Sequence, residues 1–176
     1  MFCFDLKKYL GTWYELLHYP SRFQRNDSYN SMAQYSLLDD GTIQVHNSTV
    51  VQGQRFDVVG IAKFMGGTNF RVDFPQESQD TSRFLNLPQL QEDNPQYPCN
   101  PKETFQDDDG INYVIDKVWT NCTDQYIFAV VTNPERNQLF VLSRYPNPSF
   151  AAYTQIMKYV SANYDRDLLI AVPHFH

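Results

Sequence analysis

Tyr9-Leu10-Gly11-Thr12-Trp13-Tyr14-Glu15 is the stretch on which the fold turns. It completes Asp5-Leu6-Lys7-Lys8, a short segment with helical spacing, and opens an extended run from Trp13 to Tyr19. Gly11 frees the backbone to turn sharply or to pass close to a bulky group. Trp13 supplies a large apolar body that can plug one end of whatever the strand closes around. A lone Gly-x-Trp reads as a core tryptophan at a strand start. Its further meaning comes from the rest of the chain.

Alternation of apolar and polar residues recurs between turn signals, which predicts an all-β barrel or sandwich. A polar loop, Pro20 to Tyr29, leads to Ser31–Leu38, and the Asp39-Asp40-Gly41 turn joins it to a run holding Ile43 and Val45. Gln54–Phe64 follows, then Met65-Gly66-Gly67-Thr68 and a run in which Phe70, Val72 and Phe74 alternate with Arg71 and Asp73. Ile111–Trp119, Tyr126–Thr132 and Gln138–Arg144 complete eight antiparallel strands in up-and-down order. That is the number whose barrel interior holds one small ligand. Past Pro146 and Pro148 the period changes: Phe150, Tyr153, Ile156, Met157 and Val160 share one face of a helix. This helix is expected to pack outside the barrel, capped by Asn147 or Ser149. Leu168–Val172 reads as a short last strand and His174-Phe175-His176 as a loose tail.

The 176 residues make a single domain, and a net charge of −6 without a basic cluster argues against a nucleic-acid surface. Aromatic residues reach 15%, enough either to line a ligand-filled interior or to fill it. No apolar run approaches the ~20 residues of a membrane helix. Met1 to Leu10 lacks the apolar stretch of a secretory signal. The expectation is a cytoplasmic chain, or an extracytoplasmic one if a signal has been removed. No nucleophile elbow, phosphate loop or zinc-protease motif is present. His18, His46, His174 and His176 lack metal-ligand spacing, so no metal, cofactor or catalytic set is expected.

Gly11-x-Trp13 on the first strand, Thr123-Asp124-Gln125-Tyr126 in the sixth turn and Arg144 before the helix together resemble the lipocalin family. Tyr9 to Glu15, Tyr35 to Gly41, and Leu139 to Arg144 are similar to the bacterial outer-membrane lipocalin and apolipoprotein D branch. The resemblance implies that Arg144 lies over the Trp13 indole at the closed end, a cation–π pair. Gly11, Trp13, Thr123, Asp124 and Arg144 are then structural. It also implies a small hydrophobic ligand in the barrel, of fatty acid, lysophospholipid, sterol or retinoid size, and leaves room for peripheral contact with a membrane.

Alternation selects the residues expected to line that interior. They are Leu17 on the first strand, Tyr35 and Leu37 on the second, and Val45 on the third. Val58 and Ala62 come from the fourth strand and Phe70, Val72 and Phe74 from the fifth. Phe128 and Val130 come from the seventh and Phe140 and Leu142 from the eighth. On Ile111–Trp119 and Tyr126–Thr132 both faces are apolar, so their parity is ambiguous. Glu15 is expected inward, and Asp116 is a second candidate.

With Trp13 at the floor, strand direction places the Pro75–Gly110 stretch at the open mouth, as a lid, a partner surface or a disordered insertion. The same geometry prefers a Cys3–Cys122 disulfide, both near the floor, leaving Cys99 over. A loop draped down the outside would permit Cys99–Cys122 instead. Asn26, Asn47 and Asn121 head N-glycosylation sequons. Two other functions stay open: a self-filled barrel that acts on a protein partner through its mouth loop, and an enzyme on a lipophilic substrate.

Overall fold

Arg144, rather than any apolar residue, closes the bottom of the molecule. The computed structural model describes residues 4–21, 25–74 and 110–175. A four-residue helix α1 (Leu6–Tyr9), capped by the Asp5 carboxylate, precedes strand β1 (Gly11–His18). So short a helix satisfies only its Leu6 carbonyl, through the Leu10 amide, and leaves the later ones without partners of its own. Arg144 supplies them: its guanidinium donates to the Lys8, Tyr9 and Leu10 oxygens, to Thr12 and to Tyr126. The same group lies 3.8 Å over the Trp13 ring, as the resemblance implied. Trp13 is fully buried and donates to the Tyr9 oxygen at 2.7 Å. At Gly11, φ is +94° and a Cβ would sit 3.4 Å from the Arg144 Nη1, so the glycine serves both the turn and the close approach.

Seven further strands follow: β2 (Tyr29–Leu37), β3 (Ile43–Val51), β4 (Gln54–Gly66), β5 (Asn69–Asp73), β6 (Tyr113–Thr120), β7 (Tyr126–Thr132) and β8 (Leu139–Ser143). Each pairs antiparallel with the next, and β1 pairs with both β8 and β2. This closes an eight-stranded barrel and removes its sheet edges. The sixth turn lies at the floor, where Tyr126 accepts from the Asp5 amide through its hydroxyl and Lys8 pairs with Asp124.

Two β-bulges set which side chains point in. One between Glu15 and Leu17 shifts β1 against β8; the other lies between Ile115 and Lys117 against β7. An inserted residue reverses the parity beyond it.

The seam between β1 and β2 is the least regular part of the wall. They pair only over Gly11–Tyr14, and above that a two-residue strand β9 (Ile170–Ala171) lies beside Leu17 and His18. The tail continues the repair: the Val172 amide donates to Leu16, the Asn30 amide to Pro173, and the Phe175 amide to the Asn30 side chain. Residues 172–175 are thus stitched to the wall, not loose as the sequence suggested. The last strand is shorter than expected because a 3-10 turn (Arg166–Leu168) takes up its start.

Helix α2 (Phe150–Asn163), capped by Ser149, packs outside. Ile156 and Val160 bury against Leu16, Leu17, Phe128, Val130, Leu139 and Val141. Its end is anchored on Asp116, which accepts from Tyr159 (2.8 Å), Tyr164 (2.7 Å) and Arg136 (3.1 Å). Asp116 therefore faces the helix, not the interior. Burial pushes its carboxyl up, but the two hydroxyls and the Arg136 charge outweigh this and hold it below the usual carboxylate value.

Two outcomes follow. Arg144→Met is expected to lose about 3 kcal/mol of stability, since several carbonyls lose a charged donor. Urea unfolding monitored by tryptophan emission measures this, and a loss under about 1 kcal/mol would contradict the account of the floor. A depressed carboxyl contributes stability that is present above its unfolded pKa and lost as pH falls through its folded pKa. The Tyr159→Phe/Tyr164→Phe double variant should accordingly be destabilised by about 2–3 kcal/mol at pH 7 and by clearly less at pH 3. Equal penalties at the two pH values would exclude Asp116 as the anchor.

Candidate functional site

The barrel interior divides into a filled lower half and an incompletely covered upper half. In the lower half, Leu6, Tyr9, Trp13, Tyr35, Ile43, Ala62 and Phe70 form one buried cluster with Ile115, Tyr126, Val131 and Leu142. Phe4, partly buried, packs against it, 5.7 Å from Tyr9 and Tyr126, 6.1 Å from Phe70 and 6.4 Å from Phe64, ring to ring. The space remaining between Leu6, Tyr35, Ala62, Phe70 and Tyr113 is about 10 Å³. That is room for one water at most.

Three phenols inside this cluster bond one another. The Tyr113 hydroxyl lies 2.5 Å from that of Tyr9 and 2.8 Å from that of Tyr35. Burial pushes the Tyr35 hydroxyl up to about 12 and those of Tyr9 and Tyr113 well above their ordinary value. All three are therefore neutral at physiological pH and serve as hydrogen-bonding groups.

Toward the mouth the inward positions change character. Val58, Gly60 and Ala62 lie opposite Asn47, Val45 and Ile43 on the same inner face. Beyond Val58, Phe56 is opposite Thr49 and keeps 45% of its surface exposed. Phe74 follows Phe70 and Val72 on the inner face of the fifth strand's end and is 41% exposed. Gly60 makes room for it: a Cβ there would lie 2.6 Å from both the Phe74 ring and the Asp73 oxygen. Two aromatic side chains thus face the mouth with nearly half of their surface uncovered.

Polar groups in this upper half are few. Ser31 and Thr49 share a hydrogen bond of 2.7 Å. Asn47 Oδ1 is buried without a partner, and so is His18 Nε2. His18 reaches the inner face because the bulge before Leu17 reverses the parity, so it pairs with Phe140. It is fully buried, and burial lowers its pKa, opposed in part by the Tyr19 carbonyl that its Nδ1 meets at 2.7 Å. Glu15, opposite Leu142, is inward as expected, but lower down, where its charge reaches Tyr35.

The positions chosen by alternation sort cleanly against this geometry. Tyr35, Val45, Ala62, Phe70 and Leu142 lie in the buried interior cluster, and Leu37, Val72 and Phe140 pack on it. Val58 and Phe74 occupy the mouth side. Leu17, Phe128 and Val130 do not line the interior. They face outward beneath α2, Leu17 because of the bulge, Phe128 and Val130 because the helix gives β7 a second apolar face. His18, Ala129 and Val131 take the inward places instead, and only the bulge, invisible to alternation, would have indicated His18. Asn47 is half-buried on the inner face of β3, with its Oδ1 buried. Asn26 is exposed, and Asn121 Oδ1 is held within its turn by Thr123 and Gln125. Cys122 is an exposed free thiol; Cys3, Cys99 and residues 75–109 lie outside the described residues, and with them the proposed Cys3–Cys122 pair.

A second concavity lies on the outside. It measures about 310 Å³ and is lined by Tyr14, Asn30, Met32, Val50, Arg55, His174 and Phe175, between the β2–β3 outer face and the tail.

Comparison with known proteins agrees with the geometry. Residues 4–89 match the model of a lipocalin-like domain. The chain is 28% identical over 171 residues to temperature-induced lipocalin-1 of Arabidopsis thaliana, covering 96% of this chain and 78% of that protein. It is 32% identical over 147 residues to the outer membrane lipoprotein Blc of Citrobacter freundii, covering 83% and 65%. Among solved structures, the cockroach allergen Per a 4 superposes with a TM-score of 0.61 at 17% identity, over 99% of this chain and 92% of that one.

The tyrosine trio predicts an order of stabilities. Tyr113→Phe strands two hydroxyls and is expected to cost about 2–4 kcal/mol, whereas Tyr9→Phe removes one bond and leaves Tyr113 paired with Tyr35, and should cost about 1–2. Urea midpoints of the two variants test this; a Tyr113 variant no weaker than the Tyr9 variant would contradict the central role of its hydroxyl.

Proposed function

The chain belongs to the lipocalin family, whose members bind small hydrophobic ligands, and from that premise we propose that it holds one single-chain lipid or similar lipophile in the mouth half of its barrel. Members of the family are generally binding or transport proteins, not enzymes. The reading is one of sequestration or carriage, with no chemical step. The observation that carries it is the contrast between the halves. About 10 Å³ remains at the floor, whereas inward Phe56 and Phe74 stay 45% and 41% exposed at the mouth. A ligand seated on them removes apolar surface from water on both sides. Eight buried methylenes would contribute about 6 kcal/mol before the costs of association. The rigid aromatic floor limits how deep the chain reaches, so a short or bent apolar segment fits better than a long straight one.

The test distinguishes the mouth from the outer concavity. An uncharged naphthyl probe, N-phenyl-1-naphthylamine, is titrated into the protein and its emission followed. Saturable one-to-one binding is expected, weakened about tenfold or more by Val58→Trp, which fills the mouth, and unchanged by Met32→Trp, which fills the outer concavity. Loss of binding in the Met32 variant alone, or no binding at all, would overturn the proposal.

A further inference from the structure

Between β1 and β2 the wall of the barrel is closed by the tail and not by the two strands themselves. They pair over Gly11–Tyr14 only. Above that level β1 runs on to His18, and β2 begins at Tyr29 with a register shift before Met32. The tail meets both lips of this gap. On β1, Ile170 and Ala171 pair with His18 and Leu17, and the Val172 amide donates to the Leu16 carbonyl. On β2, the Asn30 amide donates to the Pro173 carbonyl, and the Asn30 side chain accepts from the Phe175 amide. Backbone groups that the strands cannot give one another are thus satisfied by residues 170–175.

This closure is lightly fastened. Of the tail residues only Val172 is buried; Ala171 and Pro173 are exposed, and Phe175 keeps 63% of its surface in water. The hollow of about 310 Å³ lies behind His174 and Phe175, against Tyr14, Met32 and Val50, so the tail spans a gap there. Few buried apolar contacts and partly exposed hydrogen bonds are the marks of a segment that opens locally before the rest of a fold.

His174 is the titratable group of the tail. A carbonyl can only accept, so its Nε2 carries the proton that meets the Glu15 carbonyl at 2.8 Å, and the ring stands edge-on to Tyr14. A second proton, on Nδ1, would place a charge at a half-buried position. The charged groups around it offer no partner for that charge. The Glu15 side chain is turned inward, toward Tyr35. From β4, Arg55 lines the same hollow as a cation, and its partner Asp57 also takes His46 of β3. On the tail's own side, Asp165, Arg166 and Asp167 belong to the turn before β9. The other histidine of the seam, His18, is fully buried beside Ile170. Burial accordingly lowers the His174 pKa, opposed in part by the Glu15 carbonyl. A detached tail would leave the imidazolium in water at its ordinary value of about 6.5. A group whose pKa is lowered in the closed form favours closure fully above that value and progressively less as pH falls below it.

We propose that residues 170–175 are an acid-sensitive strap: they close the β1–β2 seam at neutral pH, and proton uptake at His174 shifts them toward an open state. Opening separates β1 above Tyr14 from β2 above Met32, on the mouth half of the wall. The device belongs to the wall and is independent of what the barrel carries.

Amide hydrogen exchange read by NMR, expressed as protection factors so that the intrinsic pH dependence cancels, measures the seam in the intact protein. From pH 7.5 to pH 5.0 the protection of Asn30 and Val172 is expected to fall about threefold or more, while amides of the β3–β4 pair keep theirs. The His174 titration midpoint, followed by its ring resonances, sets the size independently. A midpoint of about 6.0 against a free value of about 6.5 requires a threefold fall at pH 5.0. His174→Phe keeps a ring in place and removes the proton site, so protection of Asn30 and Val172 should become equal at the two pH values. Four results would each overturn the proposal: a midpoint at or above 6.5, unchanged seam protection at pH 5.0, an equal fall in the β3–β4 pair, or an acid response that survives in the His174 variant.

Discussion

One guanidinium ties together three parts of the chain that are far apart in sequence. Arg144 ends β8, yet it covers the indole of Trp13 at the start of β1 and receives the carbonyls of α1. Each partner needs the others. A four-residue helix cannot satisfy its own last carbonyls. A buried guanidinium needs acceptors on its edge, and an indole face offers it a favourable surface. The arrangement is a polar seal on an apolar container, and it closes one end of the barrel. The aromatic plug above it follows from the same closure: α1 is held across the floor and brings Phe4 and Tyr9 against the core.

Much of this was legible in the sequence because β2, β3, β4 and β5 meet the core on one face and water on the other. Tyr35 and Leu37, Val45, Val58 and Ala62, and Phe70 and Val72 all fell on the inner face from parity alone. The same rule failed where its physical premise failed. On β7 the outer face is covered by α2, so Phe128 and Val130 are as apolar as Ala129 and Val131, and composition carries no direction. On β1 a bulge adds one residue, and the parity that correctly turned Trp13 and Glu15 inward turned Leu17 the wrong way. A bulge is a property of pairing between strands, and a single strand's residues do not announce it. The tail shows the same limit. His174 and Phe175 read as loose because nothing local orders them; they are ordered by bonds to Glu15 and Asn30 across the seam.

Volume was the least legible property. The abundance of tyrosine and phenylalanine was compatible with a lined interior or a filled one, and the molecule uses both, at different heights. In the lower half the rings interlock and the three phenols satisfy one another, which lets tyrosine act as a core residue without stranding its hydroxyls. At the mouth the same residue class is left uncovered, with Gly60 in place of a side chain where Phe74 lies.

The two halves of the barrel also differ in how their polar groups are treated. At the floor the described polar side chains find partners: Trp13 donates to Tyr9, Arg144 donates to its carbonyls, and the tyrosines bond one another. In the upper half His18 Nε2 and Asn47 Oδ1 are buried and left open. An apolar residue at either position would make the empty protein more stable, since it would remove an unsatisfied acceptor. Phenylalanine at 18 would fill similar space beside Phe140. Stability of the empty barrel therefore does not account for a histidine whose proton is directed to the wall by Tyr19 and whose second nitrogen is left open.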